Sequence, residues 1–237
     1  MTQIQSLVAV GLAAALILSS APAQDATIAK ADQDAAKIAS PASVFGKVKV
    51  GDTLDFLAEV TLKDSTGKDF EFKTWFKSKK EAPEKAPQLI ALTFWSNSCP
   101  YQVAWNPDIV ALAKKYQGQR VKFVAIDSNA GEQGQLDQIN AIRSKTGLDF
   151  PVLMDAGNVV ADMFGGKTTP HFYLIDRKGT VVYTGAPDND PFDRMPAEEK
   201  KLYLDDAIKA TLAGEKVAVP ATKPVGCGIK KVSKADA

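Results

Sequence analysis

The sequence is poor in metal-binding side chains, with two cysteines, Cys99 and Cys227, and a single histidine, His171, in 237 residues. The cysteines stand far apart, and Gln102 occupies the place where a Cys-x-x-Cys pair starting at Cys99 would end. Zinc and copper centres need several Cys or His ligands close together, so we expect no metal and no cofactor. The formal net charge of +1 gives no strongly basic surface, so we expect no nucleic acid partner.

Charged side chains are also missing from the start of the chain, where none precedes Asp25. Residues 7–18 are apolar, a run shorter than the ~20 residues that a transmembrane helix needs. Ala21-Pro22-Ala23 then matches a small-x-small cleavage site. We interpret residues 1–23 as a signal peptide and predict an exported protein, periplasmic or secreted, with no stable membrane span after cleavage. Because no Lys or Arg precedes the apolar run, an uncleaved anchor is the alternative.

The rest of the chain divides into three parts by composition and pattern. Residues 24–44, rich in Ala, Asp and Lys, are predicted to be a flexible linker. Residues 45–219 carry the apolar patterns of one domain, and residues 220–237 form a C-terminal tail that contains Cys227. Apolar residues alternate from Leu54 to Leu62 before a turn at residues 64–68, and Phe70 and Phe72 alternate after it, which predicts an N-terminal β-hairpin. The charged stretch at residues 77–85 is predicted to be an exposed loop.

Short apolar runs alternate with helical patterns through the remainder of the domain. Strands are predicted at residues 89–95, 121–126, 150–154, 171–175 and 180–183, and helical segments at 100–116, 136–145, 159–164 and from about Pro196 to Gly214. The order is β-α-β-α, then a hairpin, then a helix. Such alternation predicts an α/β fold in which a central sheet with parallel strands has helices on both faces.

Cys99 stands where the first of these core strands ends and a helix begins. Pro100 follows in the favoured first helical position, which puts the sulfur at the helix N-terminus. Free backbone N–H groups and the helix dipole favour the thiolate there and lower the pKa of a cysteine. Because the thiolate is the nucleophile of disulfide exchange, Cys99 is the candidate catalytic residue. The alternative is a buried, unreactive cysteine at a strand end.

Residues 94–102, Phe-Trp-Ser-Asn-Ser-Cys-Pro-Tyr-Gln, resemble the active-site segment of the thioredoxin-like superfamily. Pro107 falls where those proteins have a kinking proline in the first helix, and Thr169-Pro170 falls where they have a cis-proline. The resemblance implies that residues 169–170 pack against the Cys99 sulfur. Two positions depart from the superfamily pattern: Gln102 replaces the second cysteine, and Thr93 stands where a buried carboxylate is often found.

The Cys-Pro-Tyr segment at 99–101 and the tail segment at 223–230, Lys-Pro-Val-Gly-Cys-Gly-Ile-Lys, are together similar to the peroxiredoxin-like branch of the alkyl hydroperoxide reductase/thiol-specific antioxidant (AhpC/TSA, redoxin) family. The similarity implies a thioredoxin-like fold, a central mixed β-sheet flanked by helices with the N-terminal hairpin as an extension. The candidate catalytic residues are then Cys99, Cys227, Thr169 and Pro170.

The activity implied is that of an oxidoreductase, either a thiol–disulfide exchange enzyme or a weak thiol-dependent antioxidant. Its substrate would be a disulfide or a peroxide, and its partner a redox protein or a thiol reductant. Efficient peroxidases usually carry Pro-x-x-x-Thr/Ser-x-x-Cys, and here Ser96 fits but Leu92 replaces the proline. We therefore expect peroxide reduction to be slow.

The role of Cys227 stays open at the level of sequence. It is either a resolving thiol that closes on Cys99, or one half of a permanent Cys99–Cys227 staple, or a residue that never meets Cys99. A staple would make the protein a non-catalytic binding or structural module of the same fold. His171 either tunes Cys99 or, as we favour, is satisfied locally. Residues 188–190, Asp-Asn-Asp, are interpreted as a turn rather than a calcium site.

Overall fold

The computed structural model describes residues 48–75 and 87–233. The predicted signal peptide, linker and loop at residues 77–85 lie outside these ranges, so they stay predictions. No helix among the described residues is both long and apolar enough to cross a membrane.

A seven-stranded mixed sheet forms the centre of the described chain. Its strands are β1 Thr61–Asp64, β2 Asp69–Glu71, β3 Leu89–Trp95, β4 Val121–Asp127, β5 Val152–Met154, β7 His171–Asp176 and β8 Val181–Gly185. In spatial order the sheet runs β2-β1-β5-β4-β3-β7-β8. β3, β4 and β5 are parallel, while β7, β8, β1 and β2 join antiparallel. This sheet, with helices packed on it, confirms the predicted thioredoxin-like α/β class.

The central strand β3 lies between two cores because its side chains alternate across the sheet. All seven of its residues are buried. Leu89, Ala91 and Trp95 pack in one apolar cluster, whereas Ile90, Leu92 and Phe94 pack in the other. An uninterrupted apolar run is typical of a strand covered on both faces, which is why the sequence pattern identified β3.

Four α-helices that lie wholly within the described residues accompany the sheet: α1 Pro100–Tyr116, α2 Leu136–Thr146, α3 Val159–Phe164 and α4 Tyr203–Leu212. Trp105 and Ile109 of α1 and Leu204 of α4 enter the first cluster, and Phe164 of α3 enters the second. Helix α2 ends at Gly147, whose φ of 71° is left-handed and therefore suits glycine.

Two boundaries in the prediction were wrong. Asp55–Glu59, predicted as strand from alternating apolar residues, is a 3-10 helix that buries Leu57 alone. The last helix begins at Tyr203 rather than near Pro196. The Asn189 side chain accepts from the Lys201 N–H at 2.7 Å and donates to the Glu199 carbonyl, so these backbone groups are bonded outside a helix.

The C-terminal tail returns to the sheet edge that carries Cys99. Its short strand β9, Cys227–Gly228, pairs antiparallel with β6, Thr168–Thr169, in a separate two-stranded sheet. After β9, the Ile229 N–H donates to the Lys167 carbonyl at 2.9 Å. The tail is therefore tied to the segment that leads into β7.

Candidate functional site

Cys99 is the N-cap of α1, the position predicted from the Cys-Pro pair. Its backbone is extended, with φ −76° and ψ 116°, and its carbonyl accepts the Val103 N–H at 2.9 Å. Pro100 occupies the first helical turn. The residue is only 2% exposed. The sulfur therefore lies at the positive end of the helix dipole, in a site largely closed to solvent.

Topology brings a second segment to this sulfur. β7 runs antiparallel to β3, so the start of β7 meets the end of β3 at one edge of the sheet. The Thr169–Pro170 peptide bond just before β7 is cis, as the resemblance implies. The Cys99 Sγ donates to the Thr169 carbonyl oxygen at 3.1 Å, so residue 169 packs against the sulfur as expected.

The same segment brings Cys227 to Cys99. Cys227 is the antiparallel partner of Thr169, and the Thr169 hydroxyl donates to the Cys227 carbonyl at 3.5 Å. Both cysteines are free thiols, and their side chains are close enough to hydrogen-bond. This arrangement favours the two interpretations in which Cys227 meets Cys99 over the one in which it does not.

The two thiols have opposite pKa shifts. Burial raises the pKa of Cys99, but hydrogen bonds from the Cys227 thiol, the Gln102 backbone N–H and Thr169 outweigh it and leave the pKa below its ordinary value. Burial, the hydrogen bond to Cys99 and the charge of Cys99 raise the pKa of Cys227 to about 11. The pKa of Cys99 therefore lies below that of Cys227, so Cys99 is the first of the two thiols to ionise.

Gln102 fills the space of the missing second cysteine one turn into α1. It is fully buried, and its Nε2 donates to Asn106 Oδ1 at 2.9 Å. The Trp95 indole N–H donates to the same oxygen at 3.4 Å. Gln102 thus joins a buried polar network below Cys99 and supplies no second thiol.

Sequence reasoning missed Glu132, which holds the loop just before Cys99. Its Oε1 accepts from Ser96 Oγ at 2.7 Å and from Ser98 Oγ at 2.5 Å. Its Oε2 accepts the Asn97 N–H at 2.8 Å, and the Ser98 N–H lies 3.4 Å from Oε1. The only available signal was an acidic residue shortly after the carboxyl end of a parallel strand, which is a weak one.

His171 is satisfied locally. Its Nε2 lies 2.9 Å from Thr184 Oγ1, and its ring stacks near Tyr173 with centroids 4.4 Å apart. Burial lowers the pKa of His171 to about 4, so it is neutral at physiological pH. These contacts agree with the local interpretation of this residue.

Asp188 belongs to the turn predicted at residues 188–190. It accepts the Trp105 indole N–H at 2.8 Å and the Asp190 N–H at 2.7 Å. Its carboxylate therefore anchors α1 to the loop that leads into α4.

The fold and the site together define a thioredoxin-like protein with one cysteine at the start of its first core helix. The AhpC/TSA family pattern matches residues 56–184, more than half of the chain, and the chain belongs to that family.

Individual relatives agree with this assignment. Thiol-disulfide oxidoreductase ResA of Halalkalibacterium halodurans is 29% identical over 93 residues, which cover 39% of this chain and 51% of that protein. The chain thus spans about half the length of this curated relative.

Solved structures with this fold extend the likeness over most of the chain. A hypothetical protein from Sinorhizobium meliloti 1021 has a TM-score of 0.65 and 29% identity, covering 79% of this chain and 97% of that one. A putative thiol:disulfide interchange protein DsbE from Chlorobium tepidum has a TM-score of 0.51 and 22% identity, covering 70% and 99% respectively. The second likeness concerns the fold alone.

Proposed function

We propose that this protein is an exported thiol–disulfide oxidoreductase in which Cys99 is the nucleophile and Cys227 the resolving thiol. The observation that carries the proposal is the meeting of two free thiols with opposite pKa shifts at a helix N-terminus. Cys99 ionises more readily and attacks first, while Cys227 stays protonated until the second step. Stepwise disulfide exchange requires this difference between the two thiols.

The reaction proceeds in two exchanges. The Cys99 thiolate attacks one sulfur of a substrate disulfide, which forms a mixed disulfide and releases the other substrate sulfur as a thiolate that takes up a proton. Cys227 then loses its proton and attacks the Cys99 sulfur, releasing the second substrate thiol. The substrate gains two electrons and the protein ends as a Cys99–Cys227 disulfide. A thiol reductant or a redox partner protein returns it to the dithiol.

Thr169 and Pro170 shape the surface beside the sulfur. The Thr169 carbonyl accepts from the Cys99 thiol while its backbone pairs with Cys227, so one residue contacts both partners of the exchange. We assign Thr169 and Pro170 the role of holding the two sulfurs in register.

A weak thiol-dependent antioxidant activity is the second candidate, favoured by the small opening at Cys99. A residue only 2% exposed is more easily reached by a hydroperoxide than by a protein disulfide. The thiolate would attack the O–O bond, forming a sulfenic acid and releasing water or an alcohol; Cys227 would then displace water and form the disulfide. The Ser96 hydroxyl already donates to Glu132, so it is not free to bind peroxide, which agrees with a slow reaction.

A permanent staple between the same two cysteines is the non-catalytic alternative, and reducibility separates the two. A working pair opens in a glutathione buffer, whereas a structural disulfide has a potential below about −300 mV and resists it. Mass spectrometry of the protein equilibrated in such buffers shows whether the Cys99–Cys227 disulfide is reduced.

The test of the main proposal uses three proteins: the wild type, Cys99→Ser and Cys227→Ser. The wild type should reduce oxidised glutathione and end as the internal disulfide. Cys227→Ser should accumulate a mixed disulfide with glutathione on Cys99, detected by intact mass, and Cys99→Ser should show neither product. Turnover that survives Cys99→Ser, or a wild type whose Cys99 forms no disulfide of any kind, contradicts the proposal.

A further inference from the structure

One loop contacts both cysteine-bearing segments. This segment, residues 127–135, begins with the last residue of β4 and is called the carboxylate loop because it carries Asp127 and Glu132. It lies at the same sheet edge as Cys99, since β3 and β4 are parallel and Trp95 is in register with Asp127.

On one side, the carboxylate loop binds the turn before Cys99. Glu132 is 5% exposed and accepts from three successive residues at 96–98, through two hydroxyls and two backbone N–H groups. Asn97 also donates to Gln135 Oε1 at 3.2 Å. Hydrogen bonds to a buried charged group are among the stronger ones, so this turn has little freedom.

On the other side, the carboxylate loop binds the tail beyond Cys227. The Ala130 N–H donates to the Lys230 carbonyl at 2.8 Å, and the Lys230 N–H donates to Asn129 Oδ1 at 3.1 Å. Asn129 is itself fixed, because its N–H donates to Asp127 Oδ1 at 2.9 Å and its side-chain amide to the Trp95 carbonyl at 3.4 Å.

We propose that the carboxylate loop sets the distance between the two thiols, and that Glu132 is the positioning residue that holds Cys99 in place for reaction with Cys227. The inference rests on the proposed function and adds Glu132 to it. None of the hydrogen bonds described above joins Glu132 to either sulfur. A displaced turn at residues 96–98 would move the N-cap, while the tail would stay on Asn129, so the sulfurs would lose their alignment.

Asp127 is the buried acidic neighbour of Glu132. Its Oδ2 is buried and has no hydrogen-bond partner among the described residues, so a proton on this oxygen would be available to donate to Glu132. Burial, with the hydrogen bond to Glu132 and its charge, raises the pKa of Asp127 to about 8. Burial opposes the ionisation of Glu132, but hydrogen bonds from Asp127, Ser98 and Ser96 outweigh it and lower the pKa.

The pair therefore carries one negative charge at neutral pH. The titratable side chains of Asp155 and Lys230 also lie at this end of the sheet. Asp155 is buried and accepts from Ser128 Oγ at 2.7 Å, and Lys230 lies on the tail near Cys227.

The experiment measures how fast diamide closes the Cys99–Cys227 disulfide, by quenched mass spectrometry between pH 6 and 9, in five proteins. Glu132→Gln puts an amide N–H₂ against the N–H and hydroxyl donors of the turn. Asp127→Asn keeps a donor toward Glu132 and so imitates the protonated Asp127. Ser98→Ala removes one contact at an exposed position. Glu215→Gln, at an exposed site far along the chain, is the matched control, and the wild type is the reference.

At pH 7, Glu132→Gln should slow closure about tenfold or more, and Ser98→Ala should slow it less, since it removes one of the four hydrogen bonds that Glu132 accepts. Asp127→Asn should stay within about threefold of the wild type, as should Glu215→Gln. Above pH 8, closure should be slower in the wild type than in Asp127→Asn. Of these two proteins, only the wild type gains a second negative charge beside the turn, and that charge disfavours the Cys99 thiolate.

Equal slowing by Glu132→Gln and Asp127→Asn, with matching losses of thermal stability, would show a merely structural role and overturn the inference. Unchanged closure in Glu132→Gln would overturn it as well. Failure of the proposed function has a different signature. In that case the wild type itself shows no Cys99-dependent reduction of oxidised glutathione, whereas closure by diamide still ranks the five proteins.

Discussion

At the scale of single residues, the approach of the tail to Cys99 depends on Gly226, which has no side chain. A Cβ on Gly226 would lie 2.0 Å from the Thr169 carbonyl oxygen, closer than any real contact. Its φ of 152° also lies in a region that other residues rarely adopt. A Cβ on Gly228, two residues further along in β9, would meet nothing nearer than the Lys167 carbonyl oxygen at 3.8 Å.

Gly226→Ala is therefore expected to push β9 away from Thr169, while Gly228→Ala serves as the matched control. Closure of the Cys99–Cys227 disulfide should slow about tenfold, which corresponds to an increase of ~1.4 kcal/mol in the activation free energy. Labelling of Cys99 by a bulky maleimide should become faster, since the tail covers the sulfur. Both rates can be followed by intact mass, and identical behaviour of the two variants would show that the tail does not pack as described.

At the scale of elements, α1 and α4 are joined through one carboxylate. Asp205 of α4 accepts from the Tyr116 hydroxyl at 2.6 Å and from Lys115 Nζ at 2.7 Å, both on α1. The Lys115 side chain is 48% exposed, so its ion pair contributes little, whereas Tyr116 is buried and would lose its acceptor.

Asp205→Ala should lower the free energy of unfolding by about 1–3 kcal/mol, measured by urea denaturation at pH 7. Asp206→Ala, on the same helix with a side chain 69% exposed, should change it by less than about 0.5 kcal/mol. The unpaired Tyr116 hydroxyl is the physical reason for the difference. Comparable losses in the two variants would mean that helix propensity, and not this contact, decides the stability of α4.

The elements also show what local pattern can predict. The limits of α1 follow from Pro100 at its start and from the spacing of Trp105, Ile109 and Tyr116, all nearby in sequence and all buried. The start of α4 does not, because the Asn189 side chain accepts the Lys201 N–H before the helix and the Pro187 carbonyl accepts the Leu204 N–H in its first turn. Local signals therefore located elements held by their own residues and missed a boundary that a distant loop decides.

At the scale of the whole molecule, stability should depend on pH through Asp127. Its pKa is raised by burial from 3.8 to about 8 in the folded protein. A carboxyl whose folded pKa lies above the unfolded value prefers to stay protonated. Its contribution to stability is therefore complete below about pH 4 and is lost as the pH rises toward 8.

The free energy of unfolding of the wild type should accordingly fall, relative to Asp127→Asn, as the pH rises from 4 to 8. Above pH 8 the difference should level off. Urea denaturation of both proteins across this range measures it. A constant difference at every pH would mean that Asp127 does not hold a proton in the folded state.

The sequence by itself determined the α/β class, the strand-to-helix junction at Cys99 and the family resemblance, because each depends on residues close together along the chain. Only the tertiary structure placed Cys227 on Thr169, since the tail reaches β6 through hydrogen bonds that no local pattern encodes. Glu132 likewise became visible only in three dimensions, as its partners at 96–98 lie 34 to 36 positions earlier. Parallel strands gather the loops at their carboxyl ends, and that arrangement turned separated residues into one site.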